Sequence, residues 1–217
     1  MSEEPSGKNR DRKSTGKAIQ DWWFLSLGGH FDHDNGAARA AHADEEAKQQ
    51  HEQSNGAARA ARARLRRASS PAEVLSLGVT HDLYHAIRNA KEQRDLRHGD
   101  DGPVRLALIA SVLASVETHD GRSRLARLFG PATREERPAL SPLRFQRLLR
   151  APNDWALAVA LRRALPLVGR TANVAALGED LLFWGGSVRN RWCFEYFGTA
   201  PPERPEPSPT HDETENA

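Results

Sequence analysis

Cysteine occurs once in the 217 residues, at Cys193. A lone thiol excludes a disulfide framework and a multi-thiolate metal cluster within one chain, and it suits a reducing, cytoplasmic setting. Long apolar runs are also missing. The longest, over 106–116, is interrupted by Ser111 and Ser115 and falls well short of the ~20 residues that span a bilayer. The first twenty residues are polar and charged, without the apolar region of a secretory signal. A soluble protein with no membrane partner is therefore expected. Apolar residues make up only 38%, below the roughly 45–50% of globular chains, so the deficit is expected to sit in unfolded ends. Alternating β-branched stretches are almost absent, which leaves strands without support.

What is present is arginine. The net charge is only +2, but this average hides a segregation. Between Ala58 and Gly198 there are 23 Lys/Arg against 14 Asp/Glu, a local charge of +9. Of the 23, 22 are arginine and only Lys91 is lysine. Such an excess calls for an anionic partner, nucleic acid or a membrane surface. The planar five-donor guanidinium matches phosphate. A GC-rich genome explains the preference for arginine over lysine equally well, but not the net excess.

Composition divides the chain. Residues 1–18 read as a disordered basic tail, and 199–217, rich in proline and glutamate, as a second disordered tail. Between them, 19–131 is expected to form an N-terminal helical bundle and 132–198 a C-terminal one, joined by a polar linker near 131–140. Asn35-Gly-Ala-Ala-Arg-Ala-Ala-His-Ala43 returns as Asn55-Gly-Ala-Ala-Arg-Ala-Ala-Arg-Ala63. Two copies are too few for a solenoid. A tandem duplication, with an exposed insertion near 35–57, accounts for it.

The fold class expected is all-α. The 22–27 stretch is a short aromatic helix ended by Gly28-Gly29. Helices over 57–68, 71–90, 104–118, 122–129, 142–150, 154–165, 174–184 and 188–197 follow from apolar spacing and caps. Ser70-Pro71 and Ser141-Pro142 place a cap before proline, and Asn153 and Asn173 cap two more. Ser187 is expected to cap the last. The 104–118 helix is apolar on nearly every side, so it should be the buried centre of the N-terminal half.

Catalytic constellations find little support. His81 and His85 share a helix face but lack a third ligand at a recognisable spacing. Glu179 and Asp180 are neighbours, about 100° apart on a helix, so they are expected on its polar side rather than as an acid/base pair. Cys193, between Trp192 and Phe194, reads as a small buried filler. No enzyme activity, metal or cofactor is expected.

The arginines form rows instead. Arg144, Arg147 and Arg150 recur every three residues opposite Phe145 and Leu148. Arg162 and Arg163 lie clear of a face centred on Leu161. Arg64, Arg66 and Arg67 end one helix, and Arg122, Arg124 and Arg127 crowd another. Singly each row is a solvated face; together they can track a phosphate backbone. The tryptophans fall on core stripes, so base stacking is not evident and a sequence-blind grip is the expectation.

The motif series is familiar as a whole. Leu143-Arg-Phe-Gln-Arg-Leu-Leu-Arg-Ala151, Leu161-Arg-Arg-Ala-Leu165, Glu179-Asp-Leu-Leu-Phe-Trp184 and Val188-Arg-Asn-Arg-Trp-Cys-Phe-Glu-Tyr-Phe197, preceded by Trp22-Trp23, Leu65-Arg-Arg-Ala-Ser-Ser-Pro-Ala-Glu-Val-Leu75 and Gly121-Arg to Arg127-Leu-Phe129, resemble the CasB-type small subunit of the type I-E CRISPR Cascade complex. The resemblance spans about 20–198. It implies two helical bundles, no catalysis, and partners that are the backbone and large Cascade subunits, a second copy of the chain, CRISPR guide RNA and target DNA. It also implies a role in stabilising guide, target and displaced strand during antiviral defence. Arg66, Arg67, Arg127, Arg144, Arg150, Arg162 and Arg163 match the family's basic motifs, while Arg122, Arg147 and Arg191 are added from helical geometry. The spacing between Trp23 and Leu65 is longer than the family pattern, mostly through the duplicated segment. The alternatives from the sequence are a helical DNA-binding transcription regulator, which needs a recognition helix in a major groove, and a pure protein–protein scaffold.

Overall fold

A computed structural model describes residues 14–31, 45–90, 101–133 and 135–199. The C-terminal tail beyond Thr199, the first repeat copy and most of the N-terminal tail lie outside the described residues.

The chain is mostly helical, as expected. Helix α1 (Thr15–Leu27) begins within the stretch expected as tail. Two local devices start it: Ser14 Oγ accepts from Lys17 N–H, and Lys17 pairs with Asp21 at 2.9 Å, one turn on. Gly28 ends it in the left-handed region, φ 60°. Helix α2 (Glu45–Arg67) is longer than its alanine-rich part and takes in residues expected as insertion. Short α3 (Pro71–Leu75) has Ser70 as its cap, and α4 (Gly78–Arg88) follows. Helix α5 (Asp101–Leu113) starts two residues before Pro103 and stops five short of the expected end. Helices α6 (Leu125–Phe129), α7 (Pro142–Leu149) and α8 (Asp154–Ala164) come next. Pro166 ends α8 by tightening it into a 3-10 turn, Leu165–Val168. Helix α9 (Val174–Leu182) is capped by Asn173, whose Oδ1 accepts from Ala176 N–H at 3.0 Å. Helix α10 (Gly186–Tyr196) opens one residue before Ser187, with Gly185 as its uncapped start.

Three two-residue strands were not foreseen: β1 (His30–Phe31), β2 (Thr118–His119) and β3 (Thr171–Ala172), parallel in that order. The register pairs Thr118 with His30 and Thr171, and His119 with Phe31 and Ala172. Such short pieces have no alternation to read. They exist because three loops, brought together by the helices, satisfy one another's backbone groups.

Helix α5 is the hub. Its residues from Leu106 onward are buried, and α3, α4, α8 and α9 pack on it. Helix α1 lies against α4 and α9. Trp23 is fully buried, and its Nε1 donates to Leu113 O at 3.0 Å. One continuous apolar interior runs from Ile19 to Tyr196, so the two halves flanking 131–140 share a core. At its C-terminal end Phe145 and Tyr196 stack at 4.2 Å, and Tyr196 OH donates to Leu140 O at 2.6 Å. No helix among the described residues is long and apolar enough to cross a membrane.

Candidate nucleic-acid interface

The ten arginines singled out from the sequence fall into distinct settings. Three have their donors taken up by the fold. Arg162 reaches from α8 to the C-terminus of α2, donating to Ala68 O at 3.0 Å and to Arg66 O. These are the carbonyls a helix leaves without partners, and a cation there also opposes the helix dipole. Arg162 is half-buried rather than clear of the core, and burial lowers its pKa, with Arg66 adding to the effect. Arg127 donates to Pro131 O and to Ala132 O, clamping the turn after α6. Arg191 donates to Asp180 and lies 3.3 Å from Glu195.

Two others are paired at the surface. Arg122 Nε donates to Asp120 Oδ1 at 3.0 Å. Arg66 Nη1 donates to Glu117 Oε1 at 3.2 Å. The remaining five, Arg67, Arg144, Arg147, Arg150 and Arg163, are exposed. Arg67 folds its Nε back onto Ala63 O, one turn earlier. The side chains of Arg144, Arg147, Arg150 and Arg163 have no hydrogen-bond or ion-pair partner among the described residues. Helix α7 therefore buries Phe145 and Leu148 and turns Arg144 and Arg147 outward, with Arg150 at its C-cap and exposed Leu143 beside them.

A second cluster gathers around the C-terminus of α2. Arg162 binds α8 to it, which brings Arg66, Arg67, Arg162 and Arg163 into one region. The structure adds Arg62 and Arg170, which the sequence reading missed. Arg62 lies one turn before Arg66, with its guanidinium 5.7 Å from the Trp23 ring centroid. Arg170 Nε is 3.4 Å from Glu117 Oε1, the oxygen that also accepts from Arg66. The i, i+4 spacing of Arg62 and Arg66 was a readable signal. Arg170 had none, because its direction depends on the turn after α8.

Asp180 is a correction. It is not on a polar face but buried, and it accepts from Trp192 Nε1 at 2.7 Å, from Arg124 Nη1 at 3.0 Å and from Arg191. Burial pushes its carboxyl up, against the downward pull of Trp192, Arg191 and Arg124. Glu179 accepts from Gly16 N–H of α1 at 2.9 Å, so it too joins helices. Cys193 is partly exposed rather than buried. His81 and His85 are exposed, and His81 Nε2 lies 3.0 Å from Leu75 O. Trp22, Trp23 and Trp192 are in the core as expected, yet Phe24, Phe183 and Phe197 are exposed aromatics.

Among the described residues the fold holds Arg105, Arg124, Arg127, Arg162 and Arg191 as internal clamps or ties, and it leaves Arg144, Arg147 and Arg150 of the α7 face, with Arg67 and Arg163, exposed. Comparison with curated proteins and with solved structures returned no match. The family described as CRISPR-associated protein Cse2 matches residues 61–197, more than half the chain and all of it from the last two turns of α2 to the end of α10. This is the family that the motif series resembles: the chain belongs to the Cse2 family of CRISPR-associated proteins.

Proposed function

We propose that this CRISPR Cascade small subunit grips the phosphate backbone of target DNA and guide RNA without reading sequence. The observation that supports the reading best is the α7 face. Arg144, Arg147 and Arg150 stand outward with no carboxylate paired to them among the described residues, whereas Arg127, Arg162 and Arg191 are taken up by carbonyls or carboxylates. Guanidinium groups left in this state present bidentate donors to phosphate oxygens. Arg67 and Arg163 extend the same chemistry to the α2–α8 region. A sequence-blind grip fits a complex in which base pairing with a guide does the reading. The small subunit then needs only to hold strands beside the backbone and large subunits and a second copy of itself.

The test is the salt dependence of binding to labelled single-stranded DNA, by the chain alone and within the assembled complex. The log–log slope is expected to be about −0.7 per phosphate contact. Arg144→Glu with Arg147→Glu is expected to weaken binding and flatten the slope while the complex still assembles. Failure to assemble, with strand binding by the free chain unchanged, favours a protein–protein scaffold and overturns the proposal.

A further inference from the structure

Glu117 stands alone among arginines. Its Oε1 is shared between Arg66 Nη1 at 3.2 Å and Arg170 Nε at 3.4 Å. Arg62 lies one turn from Arg66 on the same face of α2, with its Nε and Nη2 buried and, among the described residues, without a hydrogen-bond partner. Arg162 is held on the α2 carbonyls beside Arg66. Three guanidinium groups, from α2 and the turn before β3, thus act on one carboxylate, whose side chain is 47% exposed. An ordinary surface ion pair pairs one with one and stabilises little. Here the cation excess persists after the pair is made.

Arg170 supplies a second, independent observation. It is the one non-glycine residue with positive φ among the described residues, at 56°. That conformation disfavours any side chain with a Cβ, and glycine or asparagine would adopt it with less strain. The backbone is locked there from both sides. Arg170 N–H donates to Leu165 O at 3.0 Å, and Arg170 O accepts from Glu117 N–H at 2.8 Å. The same hydrogen bond that fixes Arg170 also fixes Glu117, so the two side chains are set against each other by the backbone. Strain of this kind at a partly exposed arginine points to use of the side chain rather than to stability.

We infer that Arg66 and Arg170, with the charge of half-buried Arg62 behind them, form a phosphodiester subsite, and that Glu117 occupies it in the free chain as a built-in competitor. This rests on the backbone-grip reading and specifies one place where it happens. A carboxylate and a phosphodiester each carry one negative charge and two terminal oxygens, so either satisfies the same pair of guanidinium forks. A strand phosphate entering the subsite displaces Glu117 towards solvent, to which it is already open. The tethered carboxylate then weakens every such contact, which suits a subunit that must not hold stray strands before a target is paired.

The experiment titrates the full-length chain, alone and in the assembled complex, with a labelled single-stranded oligodeoxythymidine between about 50 and 200 mM salt. Glu117→Gln keeps the shape and removes the competing charge. Its affinity is expected to rise on the order of fivefold. Arg170→Asn relaxes the backbone, so its melting temperature is expected to hold or rise while affinity falls severalfold. Unchanged or weaker binding by Glu117→Gln, with Arg144→Glu/Arg147→Glu still weakening it, overturns the subsite and leaves the general grip standing. Lower melting with unaltered binding in Arg170→Asn also overturns it, reducing the residue to a structural part. Wild-type binding that shows no salt dependence in either setting overturns both readings.

Discussion

The His119 ring joins α1 to the start of α9. Its Nδ1 accepts from Val174 N–H at 3.1 Å, and its Nε2 lies 3.0 Å from Gln20 Nε2. Accepting at Nδ1 requires that nitrogen to be unprotonated. Burial lowers the His119 pKa below its ordinary 6.5, Lys17 adds to the lowering, and Asp120 opposes it. The unfolded chain therefore takes up the proton first as pH falls, and stability is lost from about pH 6.5 downward through the folded value. Above that range the His119 contribution is complete. Wild-type melting temperature is expected to drop more between about pH 7.5 and 5.5 than that of His119→Asn, whose Oδ1 can accept from the same N–H. Equal pH dependence in the two counts against the assignment. At Asp180 the expectation is larger. Arg124, Arg191 and Trp192 all donate to this buried carboxylate, and Asp180→Ala leaves them facing an apolar gap. The loss expected in denaturant unfolding is about 3–5 kcal/mol.

Between elements, close approach sets the terms. Gly178 of α9 faces Ile19 of α1, and a Cβ there would sit 2.6 Å from Ile19 Cγ2. Gly178→Ala gains about 1 kcal/mol of helix propensity but meets an overpacking penalty of about 1–3 kcal/mol. Net destabilisation is expected by chemical unfolding, and a more stable variant would show that α1 can shift. Arg162 and Arg163 separate two roles on adjacent residues. Arg162→Ala removes the tie to the α2 carbonyls and is expected to lower stability by about 1–3 kcal/mol. Arg163→Ala is expected to leave stability alone and weaken strand binding. Much of this level was readable from local chemistry: Ser70, Asn153 and Asn173 cap the helices they were expected to cap, because a cap and its N–H lie three residues apart. The unread part is long-range. Asp180 meets Arg124 across 56 residues, and Arg162 meets Ala68 across 94. No periodicity encodes which arginine finds a carbonyl and which is left for solvent. The repeat shows the same limit. Leu65, buried in the core two residues past the second copy, has Glu45 at the matching place after the first, so only the second copy runs into an anchoring leucine.

Across the whole molecule, the interior is continuous. Helix α5 packs on α8 and α9, and α1 packs on α9, so each half buries apolar surface of the other. A single coincident thermal transition by calorimetry and circular dichroism is expected. Two resolved transitions would mean that the halves on either side of 131–140 unfold independently. The continuity also carries information outward. Trp23 sits fully buried in this interior, yet the Arg62 guanidinium lies over its ring at 5.7 Å. An indole sheltered from water but facing a cation senses the local electric field more than solvent. An anion settling on Arg66 and Arg170, close to Arg62, would cancel part of that field. In a variant that keeps Trp23 as its only tryptophan of the five, emission is expected to shift when a strand occupies the arginine cluster, without an attached label.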